Sequence, residues 1–219
     1  MKALFTKKYH QTADVWSFDF ASAEPISWQA GQSVRLEIPG DYGPIEHRFS
    51  IAAAPSMGII TITTRLSGSD YKESLAALTQ GSEVQLYAIE GNFTWHNVAK
   101  PLIFVAAGIG ITPIFAMLAE QAAQKLPLTA TLLYYGRDNP PLYKNQLAAW
   151  RQNGLAVQWC AQRITAADIT SLASVQERLI YLSGPSKMVD ALYADLIAAG
   201  IPPANILRDQ FTGRLSLDG

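Results

Sequence analysis

The stretch Pro101 to Pro113, PLIFVAAGIGITP, constrains this chain more than any other. Leu102 to Ala107 is an unbroken apolar run, short enough for a strand buried on both faces rather than a helix. It breaks at Gly108-Ile109-Gly110. Thr112 is a good N-cap and Pro113 a good first helical residue, so a helix is expected over Ile114 to Gln124. A strand, a glycine turn and a helix N-terminus together make an anion site, because first-turn N–H groups and the helix dipole face an approaching phosphate. The same turn also serves where a helix merely packs tightly on a sheet. Taken alone, the stretch leaves both readings open.

The rest of the chain narrows the choice. Its 219 residues suffice for one large domain or two of about 100 residues each. At 49% hydrophobic and 16% charged it can bury a core, and a formal net charge of −1 argues against a general nucleic-acid binder. Residues 1–97 hold seven basic and ten acidic side chains, and the remainder ten and eight. The second half is thus mildly basic, which suits a polyanionic ligand. The single cysteine, Cys160, sits in an apolar run and reads as a core thiol. One cysteine excludes an internal disulfide and a four-cysteine iron–sulfur cluster. His10, His47 and His96 have no metal-ligand spacing, so no metal site is expected, and no serine–histidine–aspartate triad can be argued. No signal peptide or membrane span is visible, and a cytoplasmic protein is the expectation.

Residues 1–97 read as β structure. Val15 to Phe20, Val34 to Ile38 and Val84 to Ile89 alternate, and Ile59 to Thr64 is β-branched throughout, with turn residues between. The expectation is an antiparallel Greek-key barrel, interrupted by one short helix from Asp70, where Asp70 and Glu73 resemble a capping box. After Lys100 strands and helices alternate. Strands are expected at Thr129–Tyr135, Leu155–Cys160, Leu179–Leu182 and Ile206–Phe211, and helices at Leu142–Gln152, Ala166–Val175 and Ser186–Ala199. That texture predicts a doubly wound parallel sheet over residues 98–219, with the boundary near His96–Lys100.

Five motifs occur in a telling order: Arg48-Phe49-Ser50, Gly68-Ser69-Asp70-Tyr71, Gly91-Asn92-Phe93, Gly108-Ile109-Gly110-Ile111-Thr112-Pro113 and Ser183-Gly184-Pro185. In order and spacing the chain resembles the ferredoxin–NADP reductase family over nearly its whole length. The resemblance implies a flavin-binding barrel followed by a nicotinamide-nucleotide domain, with hydride passing from NADPH or NADH to FAD and electrons going on to a separate acceptor, a protein or a small molecule. It implies that Arg48 holds the flavin pyrophosphate, Phe49 stacks on the isoalloxazine and Ser50 bonds near N5 and O4, with Ile51 beside them. It adds the helix start at Asp70, Tyr71 and Lys72, with Ser74, to the same diphosphate, which favours FAD over FMN. Gly108, Gly110, Thr112 and Pro113 take the nicotinamide nucleotide's pyrophosphate, and Ser183, Gly184 and Pro185 its nicotinamide. Ser50 and Ser183 are the expected catalytic pair, and Phe211 lies near the flavin.

The chain departs from the pattern in three places. Phe49 stands where a tyrosine is common, the Arg48–Phe49 pair is one residue closer than the family's Arg-x-Tyr, and Ser183 replaces a frequent cysteine. Read from the residues alone, Arg48 could be a surface ion pair, Phe49, Met188 and Phe211 core residues, and Asp70 an ordinary helix cap. Arg137, after the second strand of the parallel domain, suits a 2′-phosphate, whereas Asp138 could reach a ribose, so NADP and NAD both stay open. A methyltransferase also uses a glycine turn but leaves the first half unexplained. The other functional reading is an FAD-carrying subunit of a larger complex without turnover of its own.

Overall fold

The computed structural model describes residues 1–66, 68–96, 101–138 and 140–211, the side chain of Phe211 excepted. Six strands come first: β1 (Lys2–Thr12), β2 (Val15–Ala21), β3 (Ser33–Ile38), β4 (Ile45–Ser50), β5 (Ile60–Arg65) and β6 (Glu83–Glu90), with helix α1 (Asp70–Ala77) between the last two. They form one antiparallel sheet in the order β4-β3-β6-β1-β2-β5. Alternation puts Phe18, Phe20, Val34, Leu36, Ile62, Val84 and Leu86 into a common core with Tyr71 and Leu75 of α1. The sheet curls until its end strands approach. Ile51 bridges Ile62, and the Ala52 N–H donates to Thr61 O at 2.8 Å. Along β4 itself the two edges stay apart, so a seam runs between β4 and β5.

The second sheet is parallel throughout, in the order β11-β10-β7-β8-β9. Its strands are β7 (Leu102–Ala107), β8 (Ala130–Tyr135), β9 (Leu155–Cys160), β10 (Ile180–Pro185) and β11 (Ile206–Phe211). All six residues of β7 are buried. Leu102, Phe104 and Ala106 pack on one face with α2 (Ile111–Ala123) and α3 (Lys144–Ala149). Ile103 and Val105 pack on the other with α4 (Ala166–Thr170) and α5 (Ser186–Ala198). In α5, Val189, Leu192 and Leu196 supply the apolar stripe at helical spacing. Fully burying one such side chain is worth roughly 1.5–3 kcal/mol, so these stripes hold the helices to the sheet.

The boundaries differ from the sequence reading where backbone geometry overrides local propensity. Helix α2 begins three residues early, at Ile111, with Gly110 as its cap and no capping side chain. Thr112 is not the cap; its Oγ1 donates to Ile109 O at 3.1 Å. Pro113 is tolerated at the third position because first-turn N–H groups have no helical partner. Asp70 and Glu73 form no capping box, Ser69 being an N-cap without a side-chain bond. The box is instead at Thr165 and Asp168. The helix expected over Leu142–Gln152 is only α3 followed by a 3-10 turn at Trp150–Asn153, and that over Ala166–Val175 is a single turn and a half. Strand β10 runs on through Ser183-Gly184-Pro185 because β11 pairs with it to the end. Part of the expected boundary segment, residues 97–100, lies outside the described residues.

The two sheets share packing. Val15, Ala30 and Phe93 join the core under α2. Tyr143 Oη donates to Thr63 Oγ1 at 2.9 Å, and Tyr181 Oη donates to Thr94 O at 2.9 Å. Among the described residues no helix is long and apolar enough to cross a membrane.

Candidate functional site

The seam opens into a cleft of about 360 Å³, walled by β4, β5 and Lys72 on one side and by Ile109, Thr112, Asp209 and Gln210 on the other. Strand alternation decides what each β4 residue offers it. His47 and Phe49 share a face. Their rings stack at 4.7 Å and 29°, and Tyr71 lies 5.7 Å from Phe49. Tyr71 Oη donates to Leu36 O at 2.9 Å, and burial pushes that phenol well above its usual range. Lys72 Nζ stands 4.5 Å above the Phe49 ring and donates to Thr64 Oγ1. Burial pulls this ammonium down to about 8. Burial also lowers the His47 imidazole, with the Lys72 charge acting in the same direction against a backbone bond to Arg48.

Arg48 and Ser50 take the other face. Arg48 Nε donates to Ser33 Oγ at 2.7 Å. Ser50 Oγ donates to Asp209 Oδ2 at 2.9 Å, joining the antiparallel sheet to the last strand of the parallel one. Burial raises the Asp209 carboxyl above its ordinary value, against the opposing pull of Ser50 and the Arg48 charge. The sequence-predicted group therefore divides. Phe49, Ser50, Arg48 and Lys72 line the cleft, whereas Ile51 is fully buried in the barrel core. Asp70 and Ser74 line a separate cavity of about 740 Å³ beside the Gly40–Ile45 turn.

At the glycine turn, Gly108 adopts φ +55° with open space where a side chain would be, and Tyr134 Oη donates to its carbonyl at 3.1 Å. Gly110 faces the opposite way. A Cβ there would lie 2.4 Å from Ser183 O and 2.7 Å from Gly184 Cα, so its hydrogen is what lets α2 sit on β10. A third cavity, of about 240 Å³, is lined by Gly108, Ile109, Gly136, Arg137, Pro185 and Arg65. Arg65 and Ile109 wall both this cavity and the cleft, which meet there. Arg137 is exposed. Asp138 is not available to a ribose: its side chain is 6% exposed and its carboxylate takes Arg65 Nη2 at 2.9 Å, while Arg65 also pairs with Asp14. Among the described residues Ser183 Oγ has no hydrogen-bond partner; it is fully buried and lines neither of these two cavities. Met188 packs beside Gly184, and Phe211 pairs with Pro185 at the end of β11, its side chain lying outside the described residues.

Comparison with known proteins follows the same architecture. No family model matches the chain. It is 27% identical over 210 residues to the toluate 1,2-dioxygenase electron transfer component of Pseudomonas putida, covering 89% of this chain and 62% of that protein. It is 30% identical over 137 residues to ferredoxin–NADP reductase B of Sorangium cellulosum, covering 61% and 56%. The proteins it is similar to thus include a dioxygenase electron transfer component and a ferredoxin–NADP reductase. Among solved structures, the chain superposes on the flavohem-like FAD/NAD-binding domain of a Vibrio cholerae nitric oxide dioxygenase with a TM-score of 0.83. The two are 23% identical, and the match covers 96% of this chain and 98% of that one. A ferredoxin–NADP reductase from Neisseria gonorrhoeae, with bound FAD and NADP, gives 0.78 at 17% identity, covering 96% and 98%. The chain spans less than two thirds of the length of these two curated relatives.

The sequence reading did not include His47, Arg65 or Asp209 in the site, and it assigned Lys72 only a backbone role. Alternation from Phe49 could have found His47. Arg65 and Asp209 join the cleft through the meeting of two sheets, which no local pattern encodes.

Proposed function

We propose that the chain binds FAD in the seam and accepts hydride from NADPH or NADH docked at the Gly108 turn, with the electrons leaving to a separate protein acceptor such as a ferredoxin or an oxygenase component. One observation carries the reading: the cleft that holds Phe49 and Ser50 on the barrel side is walled by Ile109 and Thr112 on the other, so a ring site and a nucleotide turn open on one space. The names of the relatives support it, since they include a dioxygenase electron transfer component and a ferredoxin–NADP reductase.

FAD, when bound, supplies the conversion of a two-electron hydride into single electrons. The chain's residues do the positioning. Phe49 offers an apolar ring on the seam wall. Ser50 and Asp209 form a hydroxyl–carboxyl pair at the cleft, in which burial raises the carboxyl's affinity for a proton. Gly108 leaves room for phosphate at the turn, and Arg137 presents a guanidinium to the adenosine end. Pro185 shapes the far wall of the cavity at the turn, whereas the Ser183 hydroxyl stays buried away from it. The test is direct. Protein purified under native conditions should be yellow, release FAD rather than FMN on denaturation, and bleach on anaerobic addition of NADPH or NADH. Colourless protein that takes up no added FAD would overturn the reading.

A further inference from the structure

Tyr143 precedes α3 with φ +60° and ψ +20°, a left-handed backbone that is costly for a bulky side chain. What holds it there is the meeting of the two sheets. Its ring lies flat on Phe115 of α2, with centroids 3.8 Å apart and planes 15° from parallel. The residue is buried, and its hydroxyl donates to Thr63 Oγ1 of β5 at 2.9 Å. Burial pushes the phenol well above its usual range, so the hydroxyl stays a donor. Thr63 Oγ1 is in turn 2.7 Å from Ser17 Oγ of β2, which accepts from Gln11 Nε2 of β1 at 2.8 Å. Both contacts of Tyr143 lead to the cleft. Thr63 lines it on the barrel side, and Phe115 lies about one helical turn beyond Thr112, which with Ile109 forms the opposite wall. The Arg65–Asp138 pair and the Ser50–Asp209 bond attach the parallel domain after β8 and on β11, whereas Tyr143 acts on α2.

We propose, resting on the function proposed above, that Tyr143 is a positioning residue for hydride transfer: it holds the start of α2 at a fixed distance from β5 and so sets the width of the cleft. Its strained backbone fits that role, since such a conformation persists only where the surroundings over-determine it. Hydride transfer calls for reacting atoms about 3–3.5 Å apart, and a misplacement of about 1 Å can cost roughly a hundredfold in rate. A rigid spacer therefore acts on the rate of the step more than on the affinity for either nucleotide.

The experiment compares wild type with Tyr143→Phe, which keeps the stack on Phe115 and removes the hydroxyl, and with Thr63→Val, which breaks the same bond from the barrel side. In the flavin-free chain, amide hydrogen exchange should quicken over residues 109–116 in Tyr143→Phe and stay unchanged in α5. In the FAD-loaded chain, anaerobic mixing with NADPH should show the limiting rate of flavin bleaching fall by roughly tenfold. FAD affinity and the NADPH concentration at half-maximal rate should stay within about twofold. With NADPH deuterated at the transferred hydrogen, the isotope effect should depend more steeply on temperature, because donor and acceptor then rely on thermal motion to meet. The double variant should lose no more rate than the worse single one, as both break one bond. An unchanged limiting rate, or rate and FAD affinity falling together, would mean that the contact serves stability only and overturns the proposal. Exchange that quickens equally in α5, or not at all over residues 109–116, overturns it as well. Wild-type protein that takes up FAD but is bleached by neither NADPH nor NADH would remove the hydride reading itself, and the proposal with it.

Discussion

Arg65 and Asp138 come from different sheets and meet in one ion pair, with Nη2 3.0 Å from Oδ1 and 2.9 Å from Oδ2. Arg65 closes β5 and Asp138 follows β8, so the contact ties the barrel to the parallel domain where the two cavities join.

Its two halves should not be equivalent. Arg65→Ala strands a nearly buried carboxylate and should cost about 2–4 kcal/mol, whereas Asp138→Asn leaves an arginine one third exposed and still held by Asp14, costing about 1 kcal/mol. Urea unfolding of each variant checks this. Equal losses would show that the pair is worth no more than a surface contact. The double variant should cost less than the sum of the two singles.

The two glycines of the turn should separate cleanly. Gly110→Ala drives a methyl group into the Ser183 carbonyl and should destabilise the chain by about 3 kcal/mol or more. Gly108→Ala meets open space and carries only the strain of its positive φ, about 1 kcal/mol. Melting temperatures of the two variants decide it. If Gly110→Ala melts like wild type, the close approach to β10 is wrong.

Asp209 gives a pH signature. A carboxyl raised above its unfolded value of 3.8 binds protons more tightly in the folded chain. Stability contributed this way is lost as pH rises from the unfolded value through the folded one, and is level above it. Asp209→Asn should therefore stabilise the flavin-free protein at neutral pH, with the gain vanishing toward the acid end of that window. A difference in melting temperature that does not change with pH would exclude titration of Asp209 as its source.

How much of this could be read in the sequence depends on the range of the interaction. The β7 run and the α5 stripe announce themselves because burial on two faces, or on one stripe, is a local pattern. The cap of α2 did not, because Gly110 is chosen by the backbone of β10, some seventy residues on. The Ser50–Asp209 bond joins residues 159 apart and has no sequence signal at all. Arg48 was legible as a cation beside an aromatic. Its direction followed from strand alternation, which sets it on the Ser50 face rather than beside α1.

Coenzyme choice remains with Arg137. With Asp138 committed to Arg65, the exposed guanidinium of Arg137 is free to meet a 2′-phosphate. A solvent-exposed ion contact is worth about 0–1 kcal/mol, so Arg137→Ala should shift the NADPH/NADH ratio of kcat/KM by no more than about fivefold, toward NADH. Both coenzymes should be measured at fixed ionic strength. An unchanged ratio would assign Arg137 to solvent.

The open seam has a further consequence. Where β4 and β5 stay apart, each presents main-chain N–H and C=O groups that no neighbouring strand completes. On an unprotected sheet such edges invite a strand from another molecule. Here they turn inward on the cleft, with the parallel domain across from them. A flat heterocycle lodged in that gap would find its rim donors and acceptors answered by the peptide backbone itself. Recognition of this kind survives most side-chain replacements and is lost when the curl of the sheet is lost. Variants that loosen the Ile51–Ile62 bridge should thus harm ring binding more than many changes in the cleft lining.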